Sequence, residues 1–415
     1  MIKKINTIEL FSGCGGFLEG FEKQGSFRTL ACVEWEKAPC DNLINRLEKK
    51  WKHNNAKEEV IRFDIQRTNE LFYGFNDKIY GYHKGLDELV KGKYIDIIIG
   101  GPPCQAYSYA GRVSDKNGMR NDYRNYLFES YVKVVKHYKP KLFLFENVQG
   151  MLSAAPNGKL IINEMKDSFK KAGYLIRENI DKTIFNMVEY GVPQNRKRVI
   201  ILGINESLFG DKSSEILEDF YDNMMLSLKQ DRKTVKDAIG DLPPLYPLEK
   251  EIVKGKIKIS HENCNIDGIF NHSPRYHNKR DIEIFKLLAE DIAKGIMKYK
   301  DPEKLKELYK KETGKKSNVH KYYVLRSDEA SNTIPAHLNK DGLRHIHPDY
   351  KQARSITVRE AARLQTFDDD YEFIGGKMNQ YKMIGNAVPP KFSFILATAI
   401  KKLFDKYNMS NIVRE

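Results

Sequence analysis

The chain has 415 residues, 41% of them hydrophobic and 30% charged, which is an ordinary globular balance with room for two or three domains. No run approaches the ~18 consecutive apolar residues that a membrane helix needs, and Met1-Ile2-Lys3-Lys4-Ile5-Asn6 leads directly into a strand, so no secretory signal is expected. A net charge of +14 suits a polyanionic partner, nucleic acid first. The five cysteines form no C-x-x-C pair, which counts against zinc and disulfides and fits a reducing cytoplasm.

Thr7-Ile8-Glu9-Leu10-Phe11 reads as a first strand, ending at Ser12-Gly13-Cys14-Gly15-Gly16, with Phe17, Leu18 and Phe21 at helical spacing beyond. Strand, glycine turn and helix open a nucleotide-binding unit: glycines let backbone approach a ligand, and the helix start offers free N–H groups. The G-x-G-G spacing departs from the G-x-G-x-x-G of dinucleotide binders, which counts against a nicotinamide or flavin. A second strand, 29–33, delivers Glu34 and Trp35. An acid about 20 positions past the glycines is placed to grip a ribose hydroxyl pair, and the indole offers a flat face to adenine; the plain alternative is Trp35 as core. Ile61-Arg62-Phe63-Asp64-Ile65 reads as the end of a third strand, with Asp64 placed to accept from an adenine amino group.

The short β-branched run Tyr94-Ile95-Asp96-Ile97-Ile98-Ile99 reads as a strand buried on both faces. It stops at Gly100-Gly101-Pro102-Pro103-Cys104-Gln105-Ala106-Tyr107-Ser108, where two prolines end the hydrogen-bond ladder. A thiol there stands at the carboxyl edge of a sheet, where open α/β folds place their chemistry; otherwise it is a small hydrophobe. The polar stretch after Ser108, with Arg112, reads as a long loop, followed by a helix over 124–138 that carries Leu127, Phe128 and Tyr131. Lys141-Leu142-Phe143-Leu144-Phe145 is a further buried strand ending in Glu146-Asn147-Val148. Glu146 either caps the sheet edge or is a buried acid whose raised pKa lets it hold a proton near neutrality. Gly191-Val192-Pro193-Gln194-Asn195-Arg196-Lys197-Arg198 then leads into a strand over 199–204.

From Asn205 to about Asp341 this alternation stops. Residues 281–312 read as one or two charged helices and 320–334 as short extended pieces. His261, His272, His277 and His320 lack metal-ligand spacing and are expected at the surface or in contacts. Order resumes with a helix over 358–365, then Gly385-Asn386-Ala387-Val388-Pro389-Pro390 and an amphipathic helix over 392–404.

Taken together, these segments closely resemble the cytosine-5 DNA methyltransferases, in that family's order and over most of the chain. The resemblance implies S-adenosylmethionine as cofactor. Phe11, Ser12, Gly13, Cys14, Gly15 and Gly16 match its binding loop, Glu34 and Trp35 its ribose and adenine contacts, and Asp64 with Ile65 its adenine amino contact. Pro102, Leu127, Asn386 and Ala387 are further cofactor neighbours by the same match. Cys104 corresponds to the nucleophile and Glu146, Arg196 and Arg198 to the other catalytic residues, with Arg196 fixing Glu146 or a phosphate. Gln105, Ser108, Arg112, Gln194 and Thr333 correspond to DNA contacts, and the loop of residues 106–123 to a segment closing over DNA. Metal is not expected. Two departures are Glu9, where many members carry Asp, and a gap of about thirty residues between Asp64 and Asp96.

The implied fold is α/β: a Rossmann-like methyltransferase sheet with helices on both faces, plus a smaller irregular target-recognition domain. Expected boundaries are 1–205 for catalysis and cofactor, 206–345 for target recognition, and 346–415 returning to the catalytic domain. The implied enzyme is a monomer of the bacterial cytoplasm, associated with the nucleoid through duplex DNA, with a cognate restriction endonuclease as genetic partner. The rival readings are a transfer-RNA cytosine-5 methyltransferase, a non-catalytic DNA-binding relative and, less well matched, a nicotinamide oxidoreductase.

Overall fold

The computed structural model describes residues 4–103, 126–155, 158–264, 266–340 and 342–412. The chain forms two compact units. The first comprises Met1–Gly191, Arg196–Asp231 and Ala387–Glu415; the second comprises Val192–Asn195 and Arg232–Asn386.

An eight-stranded sheet organises the first unit. Its strands are β1 (Ile5–Leu10), β2 (Phe27–Glu34), β3 (Val60–Arg62), β4 (Ile97–Gly100), β5 (Leu142–Val148), β6 (Tyr174–Ile176), β7 (Ile184–Asn186) and β8 (Lys197–Asn205). The order is β3-β2-β1-β4-β5-β8-β6, with β7 also pairing β8. Strands β1 to β5 are parallel, while β8 runs antiparallel to β5 and to β6. The Ile97-Ile98-Ile99 run is completely buried, as a strand covered on both faces requires. Successive side chains point to opposite faces. Cys32 therefore joins Leu18, Leu43 and Val60 in one apolar cluster, while Ala31 and Val33 join Ile8, Leu10 and Ile98 in another.

Helix α1 (Gly16–Gln24) follows β1, α2 (Lys37–Lys49) follows β2, and α3 (Leu127–Tyr138) precedes β5. From α3, the Tyr131 hydroxyl meets the carbonyls of Ile98 at 3.0 Å and Leu144 at 3.1 Å, spanning β4 and β5. At the opposite sheet edge a buried Lys141–Asp96 pair closes at 2.8 Å, and Asp96 accepts from the Asn6 N–H at 2.9 Å. The C-terminal helix (Pro390–Lys406) lies against α1. A Cβ at Gly16 would stand 2.2 Å from the Val388 carbonyl oxygen, and one at Gly20 would stand 2.3 Å from the Phe394 nitrogen. Only glycine admits that approach.

The compact units divide the chain differently from the expected boundaries. Residues 206–231 stay with the sheet, where the Tyr221 hydroxyl binds the middle of β8, donating to Ile200 O and accepting from Leu202 N. Residues 346–386 belong to the second unit, where Arg363 donates to the Ala238 carbonyl and pairs with Asp369.

The second unit contains an antiparallel hairpin (Pro247–Lys254 with Ile257–His261) and helices Lys279–Ala293, Pro302–Thr313, Val358–Leu364 and Lys377–Asn386. The extended pieces expected over 320–334 form isolated bridges such as Val324 with Ile346, not strands. Its interior is polar in part. Arg354 and Glu360 form a buried bidentate pair at 2.6 and 2.7 Å, and Glu360 also closes a capping box with Thr357. His261, His272 and His277, expected at the surface or in contacts, are buried; so are His345 and His347. His261 meets Gln352 O and His272 meets Pro243 O, so these rings serve as internal hydrogen-bonding struts.

Candidate active site

The carboxyl ends of β1 to β5 and the start of β8 bring most of the expected residues to one edge of the first unit. At the end of β1, Phe11 takes a left-handed backbone with φ of 55°, a conformation that costs a non-glycine residue of order 1 kcal/mol or more. Buried Ser12 donates to the Glu9 carbonyl at 3.0 Å. Gly13 and Gly15 have φ of 54° and 81°, and space above Gly13 is open. From the end of β2, the Glu34 carboxylate accepts three main-chain N–H groups: Gly13 at 2.8 Å, and Trp35 and Glu36 at 2.9 Å each. Burial raises the Glu34 pKa, while those donors act the other way. Trp35 is not core, since 48% of it is exposed. Asp64 stands just past β3 and accepts from the Gln66 N–H at 3.0 Å, with Ile65 buried behind it.

The glycine turn, open space, acceptor carboxylate and exposed indole fit a nucleoside bearing ribose hydroxyls. Among the described residues no cluster of potential metal ligands occurs.

Along the same edge, β4 ends at Gly100 and continues as Gly101-Pro102-Pro103. A Cβ at Gly101 would fall 2.7 Å from Glu146 Oε2, so this glycine lets the carboxylate lie directly against the strand end. Asn147 Nδ2 reaches the Pro102 carbonyl at 3.4 Å, and Leu127 is buried at the start of α3. Arg198 opens β8 opposite Val148 and pairs through Nε with Glu146 Oε1 at 2.9 Å. Both side chains are mostly but not wholly buried, and an acid and a cation so placed form a donor–acceptor pair for a planar polar ring. Arg196, only 2% exposed, donates from Nη2 to the Ala387 carbonyl at 3.0 Å. It clasps the returning C-terminal segment and is not open to a phosphate.

Cys14, Cys32 and Cys40 are buried, and burial pushes all three thiols above the ordinary cysteine pKa. A nucleophile must ionise, so burial disfavours all three in that role.

The C-5 cytosine-specific DNA methylase family model matches residues 5–402. The chain belongs to that family. The chain is 35% identical to the type II methyltransferase M.Bpa9945I of Bacillus paralicheniformis, covering 97% of this chain and 100% of the relative. It is 31% identical to the type II methyltransferase M.NgoPII of Neisseria gonorrhoeae, covering 97% of each. A prophage-encoded DNA modification methyltransferase of E. coli shares the fold, with a TM-score of 0.62 at 24% identity over 97% of this chain and 100% of that one. The Dnmt2 methyltransferase of S. pombe does so at 0.55 and 16%, over 98% and 100%.

Four residues expected in this DNA cytosine-5 methyltransferase, Cys104, Gln105, Ser108 and Arg112, lie outside the described residues, as does the loop 106–123. Gln194, expected to touch DNA, is fully buried in the second unit. Its Nε2 donates to Gln365 Oε1 at 2.6 Å and its Oε1 accepts from the Ile334 N–H at 3.0 Å, so both ends of the amide are engaged internally. It braces the 331–334 segment, and the methyltransferase presents no free Gln194 amide to DNA. Thr333, half-buried, donates to the Asn195 carbonyl at 2.6 Å; Asn386 is exposed at the end of its helix.

Sequence reasoning missed Arg62. Its Nε lies 3.4 Å from the Trp35 carbonyl and its Nη1 3.2 Å from the Ile79 carbonyl. An arginine two residues before Asp64, the expected adenine contact, was the available signal.

Proposed function

We propose that this methyltransferase transfers the methyl group of S-adenosylmethionine to carbon 5 of a flipped-out cytosine in a specific duplex sequence, through a covalent adduct of Cys104. The observation that carries this reading is the Glu146–Arg198 pair at 2.9 Å, set against the Gly101-Pro102-Pro103 segment that leads directly to Cys104.

Bound S-adenosylmethionine supplies an electrophilic methyl group on a sulfonium. Phe11, Ser12 and the Gly13–Gly16 turn hold its amino-acid end, Glu34 its ribose hydroxyls, and Trp35 with Asp64 its adenine. Pro102, Leu127 and Ala387 complete the pocket. Carbon 5 of cytosine is too weak a nucleophile to react unaided. The Cys104 thiolate therefore adds to carbon 6, while Glu146 holds the base at N3 and the exocyclic amine, offsetting the charge that develops on addition, and Arg198 contacts the carbonyl oxygen. Arg196 acts as a positioning residue through the Ala387 carbonyl. Carbon 5, now enamine-like, takes the methyl group; loss of the carbon 5 proton and expulsion of Cys104 restore the aromatic ring and the thiolate. A stacked cytosine cannot present carbon 6, so the base leaves the helix at a cost of a few kcal/mol.

The second unit reads the target in the major groove, whose edge distinguishes all four base pairs, and Thr333 contacts backbone near the flipped base. The product protects DNA from a cognate endonuclease in the bacterial cytoplasm. Tritiated S-adenosylmethionine with duplex DNA or transfer RNA tests the reading. Label in DNA that disappears in Cys104→Ser supports it; label in transfer RNA alone, or in neither, overturns it.

A further inference from the structure

The segment between Asp64 and Asp96 builds a helix (Thr68–Tyr73) and a hairpin of Phe75–Asp77 with Gly81–His83. This hairpin is fastened to the part of the sheet that carries the adenine contacts. The Phe75 ring stacks on Phe63, the residue before Asp64, with centroids 3.9 Å apart, and the Tyr80 ring meets Phe63 edge-on at 5.2 Å. The Arg62 guanidinium lies 5.5 Å from the centre of the Tyr80 ring. Arg67, just past Asp64, pairs with Asp77 in the hairpin at 2.6 Å. At the hairpin tip, Asp77 accepts from the Ile79 N–H at 2.7 Å and the Tyr80 N–H at 3.1 Å, which fixes the turn.

One guanidinium therefore binds the main chain of both Trp35 and Ile79, through bonds of 3.4 and 3.2 Å. The two residues consequently have their main chains within the span of one guanidinium. Each is a large apolar side chain left in solvent, 48% exposed for Trp35 and 68% for Ile79. An isolated exposed isoleucine needs no explanation. One whose main chain is tied through Arg62 to that of exposed Trp35 has a candidate partner, because an adenine ring has two faces and an edge to remove from water. Burial, and next the charge of Asp64, raise the Tyr80 pKa, consistent with a hydroxyl close to that carboxylate.

We propose that the hairpin is an added wall of the nucleoside end of the cofactor site. Ile79 extends the apolar surface begun by Trp35, and Arg62 is the positioning residue that sets their spacing. This rests on the reading of Glu34, Trp35 and Asp64 as the S-adenosylmethionine site.

Calorimetric titration of the full-length protein with S-adenosylhomocysteine, alongside steady-state kinetics, tests the wall. Ile79→Asp, at a position already in solvent, should weaken binding about tenfold, the scale of losing part of an isoleucine's burial. It should raise KM for S-adenosylmethionine much more than it lowers kcat, at an unchanged unfolding temperature. Arg62→Ala should act in the same direction, and Arg62→Lys should recover only part of the loss, since an ammonium cannot bridge both carbonyls as the guanidinium fork does. Tyr73→Ser, at an equally exposed position, 70%, on the neighbouring helix, serves as the control that leaves affinity unchanged. Affinity within twofold of wild type in Ile79→Asp, or an equal loss in Tyr73→Ser, overturns the wall. Failure of the wild-type protein itself to bind S-adenosylhomocysteine would instead overturn the site assignment beneath it.

Discussion

Lowering the pH from about 7.5 to about 5.5 is expected to destabilise the second unit by roughly 3 kcal/mol through His345 and His347 alone. Both rings are buried. Burial first, and then the charge of Arg344, hold His345 down to about 3; burial first, and then Arg354, hold His347 down to about 4. The His347 Nδ1 also accepts from the Asp349 N–H at 3.1 Å, a bond that protonation there would destroy. In the unfolded chain each imidazole titrates near 6.5. The folded values are depressed, so the stability is fully present above about 6.5 and falls as the pH drops towards the folded values, because the unfolded state takes up protons that the native state refuses. One unit below 6.5, each histidine costs about 1.4 kcal/mol. His261, His272 and His277 are shifted in the same direction, chiefly by burial, and add to the loss. Hydrogen exchange followed by mass spectrometry, with intrinsic rates corrected for pH, reads the opening free energy of peptides spanning residues 342–360. His345→Gln should show a shallower pH dependence than wild type. An opening free energy constant to within about 1 kcal/mol between those two pH values would refute the argument, since two buried neutral imidazoles require a change near 3.

Further outcomes concern the first unit. Gly16→Ala forces a Cβ to within 2.2 Å of the Val388 carbonyl. It should cost about 1–3 kcal/mol in urea unfolding despite the better helix former, and weaken cofactor binding as the 387–388 segment is displaced. An unchanged midpoint would show that the segment yields freely. Glu146→Gln keeps the shape but loses the acid and the charge paired with Arg198. Single-turnover methylation should slow by about 10²–10⁴ while S-adenosylhomocysteine affinity stays within about threefold; a rate within tenfold of wild type would remove Glu146 from the chemistry.

What was legible in the sequence was what is local. The runs at 29–33, 61–63 and 141–145 carry their strand signal in mostly apolar residues, and the groups they deliver, Glu34, Asp64 and Glu146, follow directly. Parallel strands bring such ends to one edge, so their convergence could be anticipated. The reason Gly16 and Gly101 are glycine could not, because Val388 and Glu146 come from distant parts of the chain. Gln194 and Arg196 are polar residues beside a strand, a pattern equally suited to a ligand contact or a buried brace. Only the distant partners Gln365, Ile334 and Ala387 decide between them. The histidines of the second unit illustrate the same limit: their spacing lacks a metal-ligand pattern but does not report burial.

Duplex DNA carrying 5-fluorocytosine at the target position tests the central claim most directly. Fluorine replaces the hydrogen that must leave carbon 5 as a proton, so addition and methyl transfer proceed but elimination does not. The account predicts a denaturation-resistant protein–DNA adduct that requires S-adenosylmethionine, maps to Cys104 by mass spectrometry and is absent in Cys104→Ser. Methylation of ordinary DNA with no adduct on the fluorinated duplex, or an adduct mapping to another residue, would contradict it.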